Sequence, residues 1–271
     1  VALPFRLLPS KVPRYNTAPP TLCHAGLAPL PPRLRPVTYG NNMNIQPIEK
    51  RRESDGSRLE VHSVFSTIQG EGPFTGHAAV FIRLAGCNLQ CPVCDTDYTT
   101  DRWNSTPFVL LQFVQEMRQA PSLVVITGGE PFRQNIHPLV ELLLAEGYTV
   151  QIETNGTLPP PTIGFPELCS HDTNERNRCF VVCSPKAGRV NPITAAIACA
   201  FKYVMAHDSV DSDGLPLLAL DHSASPRVAR PPEDFDGRIY LQPCDDKDDI
   251  VNKANLQACV NSAMLHGYVL Q

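Results

Sequence analysis

From Val61 onward the chain alternates short apolar runs with stretches whose apolar residues recur every three to four positions. The runs Ala78–Leu84, Leu123–Thr127, Tyr148–Glu153, Phe180–Ser184, Phe201–Met205 and Arg238–Gln242 are rich in Val, Ile, Leu or Phe. They read as strands buried on both faces. Between them, Thr106 can cap a helix with Pro107 at its first position, placing Leu110, Phe113, Val114 and Met117 on one face. Pro138 can open a second helix that runs to Gly147, and a third runs from about Lys247 to His266, closed by Gly267. Gly267–Gln271 reads as the opening of a further strand. The alternation predicts an α/β protein with a parallel sheet, open or forming an incomplete barrel of about six strands. Leu158–Arg178 and Asp208–Asp236 show no period and read as loops or insertions.

Composition narrows this picture. In 271 residues, 42% apolar and 18% charged content excludes a coiled coil, a collagen-like chain and a wholly disordered protein. No apolar run is long enough to span a membrane, and a net charge of −4 argues against a nucleic-acid surface. Residues 1–42 stand apart. They hold five basic and no acidic residues and nine of the 27 prolines, which suits neither a helix nor a core. The first Met is Met43, so 1–42 reads as a non-native or disordered leader, with an organelle transit peptide as the weaker alternative. Residues 43–271 form the functional domain, which looks cut short at Gln271. With no signal-peptide core, the expected compartment is the cytoplasm.

Ten cysteines in a chain without a secretion signal suggest metal or redox chemistry before disulfides. Cys87, Cys91 and Cys94 form a C-x3-C-x2-C cluster. Structural zinc wants four ligands, usually as two paired knuckles, and no second C-x2-C exists. Three thiolates can hold a 4Fe–4S cluster and leave one iron open to a small molecule. Cys169, Cys179, Cys183, Cys199, Cys244 and Cys259 have no ligand spacing and read as buried free thiols.

C-x3-C-x2-C at the end of a strand, followed after the next strand by Thr127-Gly-Gly-Glu-Pro131, resembles the radical S-adenosylmethionine enzymes. Phe65–Gly72, Thr75-Gly76, Phe81–Cys87, Cys94–Asp97, Ile152–Gly156, Val182–Lys186 and Leu241–Pro243 together resemble the 7-carboxy-7-deazaguanine synthases. The resemblance covers the chain from about Val61 to its end. It implies conversion of 6-carboxy-5,6,7,8-tetrahydropterin to 7-carboxy-7-deazaguanine with loss of ammonia, a step towards queuosine and other 7-deazapurines. It also implies a 4Fe–4S cluster, S-adenosylmethionine, Mg²⁺, an electron donor such as flavodoxin or ferredoxin, and a homodimer.

The same resemblance assigns residues. Cys87, Cys91 and Cys94 would ligate the cluster and Thr96 the Mg²⁺. Ile68, Gln69, Gly70 and Thr127 would contact the pterin. Glu71, a carboxylate able to accept two parallel N–H bonds, and Glu153, at the end of the third strand, are further candidates from their own chemistry and position, Glu153 being either ligand or scaffold. Arg83, lying in an otherwise apolar strand, would take the substrate carboxylate, since a buried Arg needs an anionic partner. Val93, Cys94, Asp95, Gly129, Ser184, Pro185, Lys186, Gln242, Pro243, Cys244 and Asp245 would contact S-adenosylmethionine. Two departures stand out. Val93 occupies a position that is often aromatic, and no terminal His-Lys pair precedes Gln271. Two rival readings share the cysteine loop: a radical enzyme acting on a protein glycine, and an inactive iron–sulfur scaffold.

Overall fold

The computed structural model describes residues 44–92, 94–117, 122–169, 178–220 and 227–271. The leader reading for 1–42 and the assignment of Val93 fall outside them. In chain order the elements are β1 (Leu59–Ile68), β2 (Ala78–Leu84), β3 (Trp103–Ser105), α1 (Pro107–Glu116), β4 (Leu123–Gly128), α2 (His137–Ala145), β5 (Thr149–Thr154), α3 (Phe165–Leu168), β6 (Cys179–Cys183), α4 (Pro192–Ile197), β7 (Ala198–Met205), β8 (Arg238–Pro243), α5 (Asp249–His266) and β9 (Val269–Leu270).

One open sheet of nine strands runs β3-β1-β2-β4-β5-β6-β7-β8-β9. From β2 to β9 every pairing is parallel. All six apolar runs are strands in it, to within a few residues. Two strands escaped the sequence pattern. β1 pairs antiparallel with β2, and three-residue β3 pairs antiparallel with β1. After Leu59 and Val61, β1 carries His62, Ser63, Ser66 and Thr67 and is only half covered, so it lacks the apolar run of a central strand. The predicted opening of a strand after Gly267 is β9, which pairs with β8.

The helix signals act as read. The Thr106 hydroxyl accepts from the Val109 amide at 3.3 Å. Gly267 closes α5 with φ +76°, a conformation that favours glycine. α5 starts at Asp249 rather than Lys247, because the Asp248 carboxylate accepts from the Ile250 and Val251 amides. Leu158–Arg178 is not all loop, since it contains the short α3. Asp208–Asp236 holds no helix or longer strand among its described residues. It is braced by Arg230, which donates to Asp213 at 2.6 Å and to Asp211 at 3.1 Å.

Strand periodicity divides the sheet into two faces. Val80, Ile82, Leu84, Val124, Ile126, Val150 and Ile152 pack with Leu110, Val114, Leu139 and Leu143 of the helices. The alternate residues face the other way. Ala79, Leu123 and Val125 form an apolar floor with Phe74 and Phe81. Further along the same face stand Arg83, Thr127, Glu153 and Lys202. Their side chains line the open end, where the parallel strands terminate, and this is where ligands of such sheets bind.

Truncating Ile126, fully buried between sheet and helices, should cost about 2–5 kcal/mol as Ile126→Ala. Thr106→Ala should cost only about 1 kcal/mol. Urea unfolding of both variants checks the order; equal losses would contradict the core assignment.

Candidate active site at the open end of the sheet

The cysteine loop follows β2 directly. Cys87 is buried and Cys91 and Cys94 are half-buried. The loop is strapped by residues 44–49, where Ile48 makes a parallel bridge with Cys87. The Asn44 side chain donates to the Cys91 carbonyl at 3.1 Å, and the Glu49 amide to the Cys87 carbonyl at 2.7 Å. The Gln46 side chain donates to the Thr96 carbonyl at 2.9 Å and accepts from the Tyr98 amide at 2.8 Å. Burial pushes the Cys87 thiol up to about 12, with Cys91 and Cys94 close enough to add to the shift. Burial also raises Cys94. Among the described residues no three His, Cys, Asp or Glu side chains stand close enough together to hold a metal ion. The donor set nevertheless suits an iron–sulfur cluster: three soft sulfurs on one short loop, in surroundings where a bound cation favours the thiolate.

Backbone contact locks the next segment onto this loop. A Cβ on Gly128 would lie 2.2 Å from the Leu84 carbonyl oxygen, and one on Gly129 would lie 2.0 Å from that of Gly86. The two glycines therefore let the end of β4 lie against the base of the cysteine loop. Glu130 turns inward. Its carboxylate accepts from the Phe132 amide (2.9 Å), the Thr154 hydroxyl (2.7 Å) and the Asn155 amide (2.7 Å), tying β4 to the end of β5. Despite these donors, burial pushes it up to about 7. Asn155 reaches back to Asn88 of the cysteine loop at 3.0 Å.

Two other substrate assignments, Gln69 and Thr127, meet at Glu153. It accepts from Gln69 (2.9 Å) and Thr127 (3.1 Å), and also from Gln151 (3.0 Å). Burial is the largest influence and raises it; Glu71 pushes the same way, and Lys202 opposes both. Glu71 is ion-paired with Lys202. The Ile68 side chain is exposed and Gly70 has open space around it. Arg83 lies over the Phe65 ring, 5.5 Å from its centroid, and its Nε is buried without a hydrogen-bond partner. Gln151 Oε1, Gln242 Oε1 and Gln271 Nε2 are orphaned in the same way. Buried polar atoms are rarely left unpaired, so this group on the inner face marks a place built for a polar ligand.

The cofactor assignments split into two sets. Lys186 Nζ donates to Ser184 Oγ at 2.8 Å next to Pro185. Burial pushes Lys186 down to about 8, with the Lys202 ammonium adding to the shift and Cys91, Glu71 and Asp95 opposing it. The insertion pins this segment, with the Leu220 amide donating to the Lys186 carbonyl at 2.8 Å. Gln242, Pro243, Cys244 and Asp245 end β8. Cys244 is held by its amide on the Met205 carbonyl at 2.9 Å. Asp245 is exposed and paired with Lys247, facing solvent more than the mouth. The Thr96 hydroxyl meets Asp95 at 3.1 Å. No helix starts there, so neither residue is a helix cap, and a hard-cation ligand is chemically consistent.

Sequence reasoning missed Gln151, Lys202 and Gln271, whose Oε1 accepts from the Gly72 amide at 2.7 Å. The signal for Lys202 was present, because it is a charge inside the apolar run Ala198–Met205, as Arg83 is in β2. Away from the mouth, the thiols of Cys169 and Cys179 approach to 2.7 Å, while Cys183 is fully buried in β6.

A model of the Radical SAM superfamily matches residues 81–169, the stretch from β2 through the cysteine loop and the Gly128-Gly129 turn to α3. Fold and loop together define a radical S-adenosylmethionine enzyme. The 7-carboxy-7-deazaguanine synthase of Rhodospirillum rubrum is 41% identical over 224 residues, covering 80% of this chain and 90% of that protein. The protein of the same name from Rickettsia prowazekii is 35% identical over 223 residues, covering 79% and 85%. The chain belongs to the 7-carboxy-7-deazaguanine synthase family. The crystal structure of QueE from Escherichia coli shares the fold, with a TM-score of 0.57 at 24% identity over 79% of this chain and 92% of that one.

Glu130 yields a pH prediction. An acid whose folded pKa is raised holds its proton longer in the folded state, so stability is lost as pH rises from the unfolded value, about 4.3, to about 7. Glu130→Gln should flatten this slope in the iron-free protein, the difference between the two curves being on the order of 3 kcal/mol across the window. Urea midpoints between pH 5 and pH 8 measure it, and parallel curves would contradict the assignment.

Proposed function

We propose that the open end of the sheet binds 6-carboxy-5,6,7,8-tetrahydropterin beside the cysteine loop and that the chain converts it to 7-carboxy-7-deazaguanine with release of ammonia. The observation that carries the substrate placement is the convergence of Gln69, Thr127 and Gln151 on Glu153, with Glu71 adjacent and the orphaned Arg83 on the same face. Carboxylates accept the N–H donors of a pterin's amino-pyrimidinone edge, and a guanidinium takes the carboxylate at the other end of such a molecule. The apolar floor of Leu123, Val125 and Phe81 suits the flat ring.

The family carries a 4Fe–4S cluster and S-adenosylmethionine and depends on Mg²⁺. Cys87, Cys91 and Cys94 would hold the cluster and Thr96 the Mg²⁺. Gly129, Ser184, Pro185, Lys186 and the Gln242–Asp245 segment would hold S-adenosylmethionine. Bound there, these groups supply one-electron radical chemistry to start the rearrangement. The protein's own task is placement. Arg83 and the Glu153 cluster fix the two ends of the substrate, the glycine turn sets its height against the cysteine loop, and the floor excludes water from the reacting face. No helix among the described residues is long and apolar enough to cross a membrane. A reducing cytoplasm suits the free thiols; residues 43–271 as the catalytic unit, a homodimer and a flavodoxin or ferredoxin donor complete the reading.

The test is anaerobic turnover of the reconstituted, reduced protein with S-adenosylmethionine, Mg²⁺ and the pterin, read by mass spectrometry. We expect 7-carboxy-7-deazaguanine with 5′-deoxyadenosine. Replacing Cys87, Cys91 or Cys94 with Ala should abolish both products together with iron binding. Glu153→Gln should keep iron and lower kcat/KM about 10- to 100-fold, the loss of a charge-assisted hydrogen bond. Formation of 5′-deoxyadenosine without the deazaguanine would reject the pterin as substrate.

A further inference from the structure

We propose that Lys202 is a positioning residue for substrate binding, holding the Glu71 carboxylate in place and aimed at the pterin edge beside Glu153. The inference rests on the substrate reading above and adds a residue to it. Lys202 lies in β7, two positions beyond Ala200 on the inner face, and is only 8% exposed. Lysine is rarely buried this far unless paired. Its partner is Glu71, which comes from the connection between β1 and β2, 131 residues earlier in the chain.

The arrangement answers an electrostatic problem. Burial disfavours the charge on Glu153, and the nearby Glu71 carboxylate pushes the same way. A protonated carboxyl would turn an acceptor into a donor and meet the pterin's N–H groups with the wrong polarity. Lys202 supplies the compensating charge. Among the described residues, the other nearby cations are Lys186, bonded to Ser184 and within reach of the Glu71 charge, and Arg83, whose guanidinium lies over Phe65. Among the described residues, Glu71 makes its ion pair with Lys202 rather than with either of these.

Hydrogen-bond accounting points the same way. Glu153 Oε1 already accepts from Gln69 and Gln151, and Oε2 accepts from Thr127. Glu71 Oε2 faces Lys202, which leaves Oε1 as the less committed acceptor. The ion pair fixes the direction of that oxygen, because the Lys202 stem is held in a strand interior rather than on a loop.

The test compares wild type, Lys202→Met, Lys202→Arg, Glu71→Gln and the Glu71→Gln/Lys202→Met double variant. For each, iron per chain, 5′-deoxyadenosine formed without pterin, and KM and kcat for the pterin are measured. Lys202→Met should raise KM for the pterin about tenfold or more, with the iron content of wild type. Lys202→Arg, which keeps the charge, should restore KM to within about threefold of wild type. If Lys202 acts through Glu71, the double variant should be no worse than Glu71→Gln alone. An unchanged KM in Lys202→Met, additive losses in the double variant, or a parallel fall in iron content would each overturn the proposal. Wild type that cleaves S-adenosylmethionine but makes no deazaguanine would instead reject the substrate reading, before any variant is compared.

Discussion

At the open end of the sheet the backbone of Gly129 lies on the backbone of Gly86, with no room for even one carbon between them. Gly86 is held from the other side by Arg133, whose guanidinium donates to the Ala85 carbonyl at 3.0 Å and pairs with Glu60 at 2.7 Å. Glu130 then carries the contact across to Thr154 and Asn155. The ends of β2, β4 and β5 are thereby joined by backbone and buried polar bonds. Such bonds are short and directional, so they fix relative position more tightly than apolar packing does. The cysteine loop takes its place from this junction and from the strap at residues 44–49.

The inner face follows from the junction. Once β2, β4 and β5 are level, strand periodicity alone puts Arg83 beside Thr127, with Glu153 following in β5. The same alternation brings Lys202 onto this face two strands further on. The result is a mouth of alternating charge over an apolar floor. Its charges come from the β1–β2 connection and from three strands, so a shift of one strand by one residue would turn that strand's charge away from the mouth.

Much of this was legible in the chain. The six central strands declare themselves because strands covered on both faces must be apolar throughout, and Thr106, Pro107 and Gly267 mark helix ends through local hydrogen bonds and backbone freedom. β1 was not legible because a strand near an edge, with one face half covered, can carry His, Ser and Thr. α3 escaped because four residues are too few to show a period. Arg83 stood out as a charge in an apolar run. Lys202 carried the same mark, and its meaning depended on a partner 131 residues away.

The sequence by itself determined the chemistry at hand: three thiols on one short loop, a glycine pair after the next strand, and carboxylates and an arginine near strand ends. These are local features, set by residue type and spacing. The tertiary structure alone decided which of them meet. It turned Glu130 inward as a structural tie, made Glu153 the centre of an amide and hydroxyl cluster, and drew Lys202 and Gln151 into the mouth. The reason is that contacts between strands depend on register and strand order, which arise from packing the whole sheet against its helices, and no single stretch of sequence contains them.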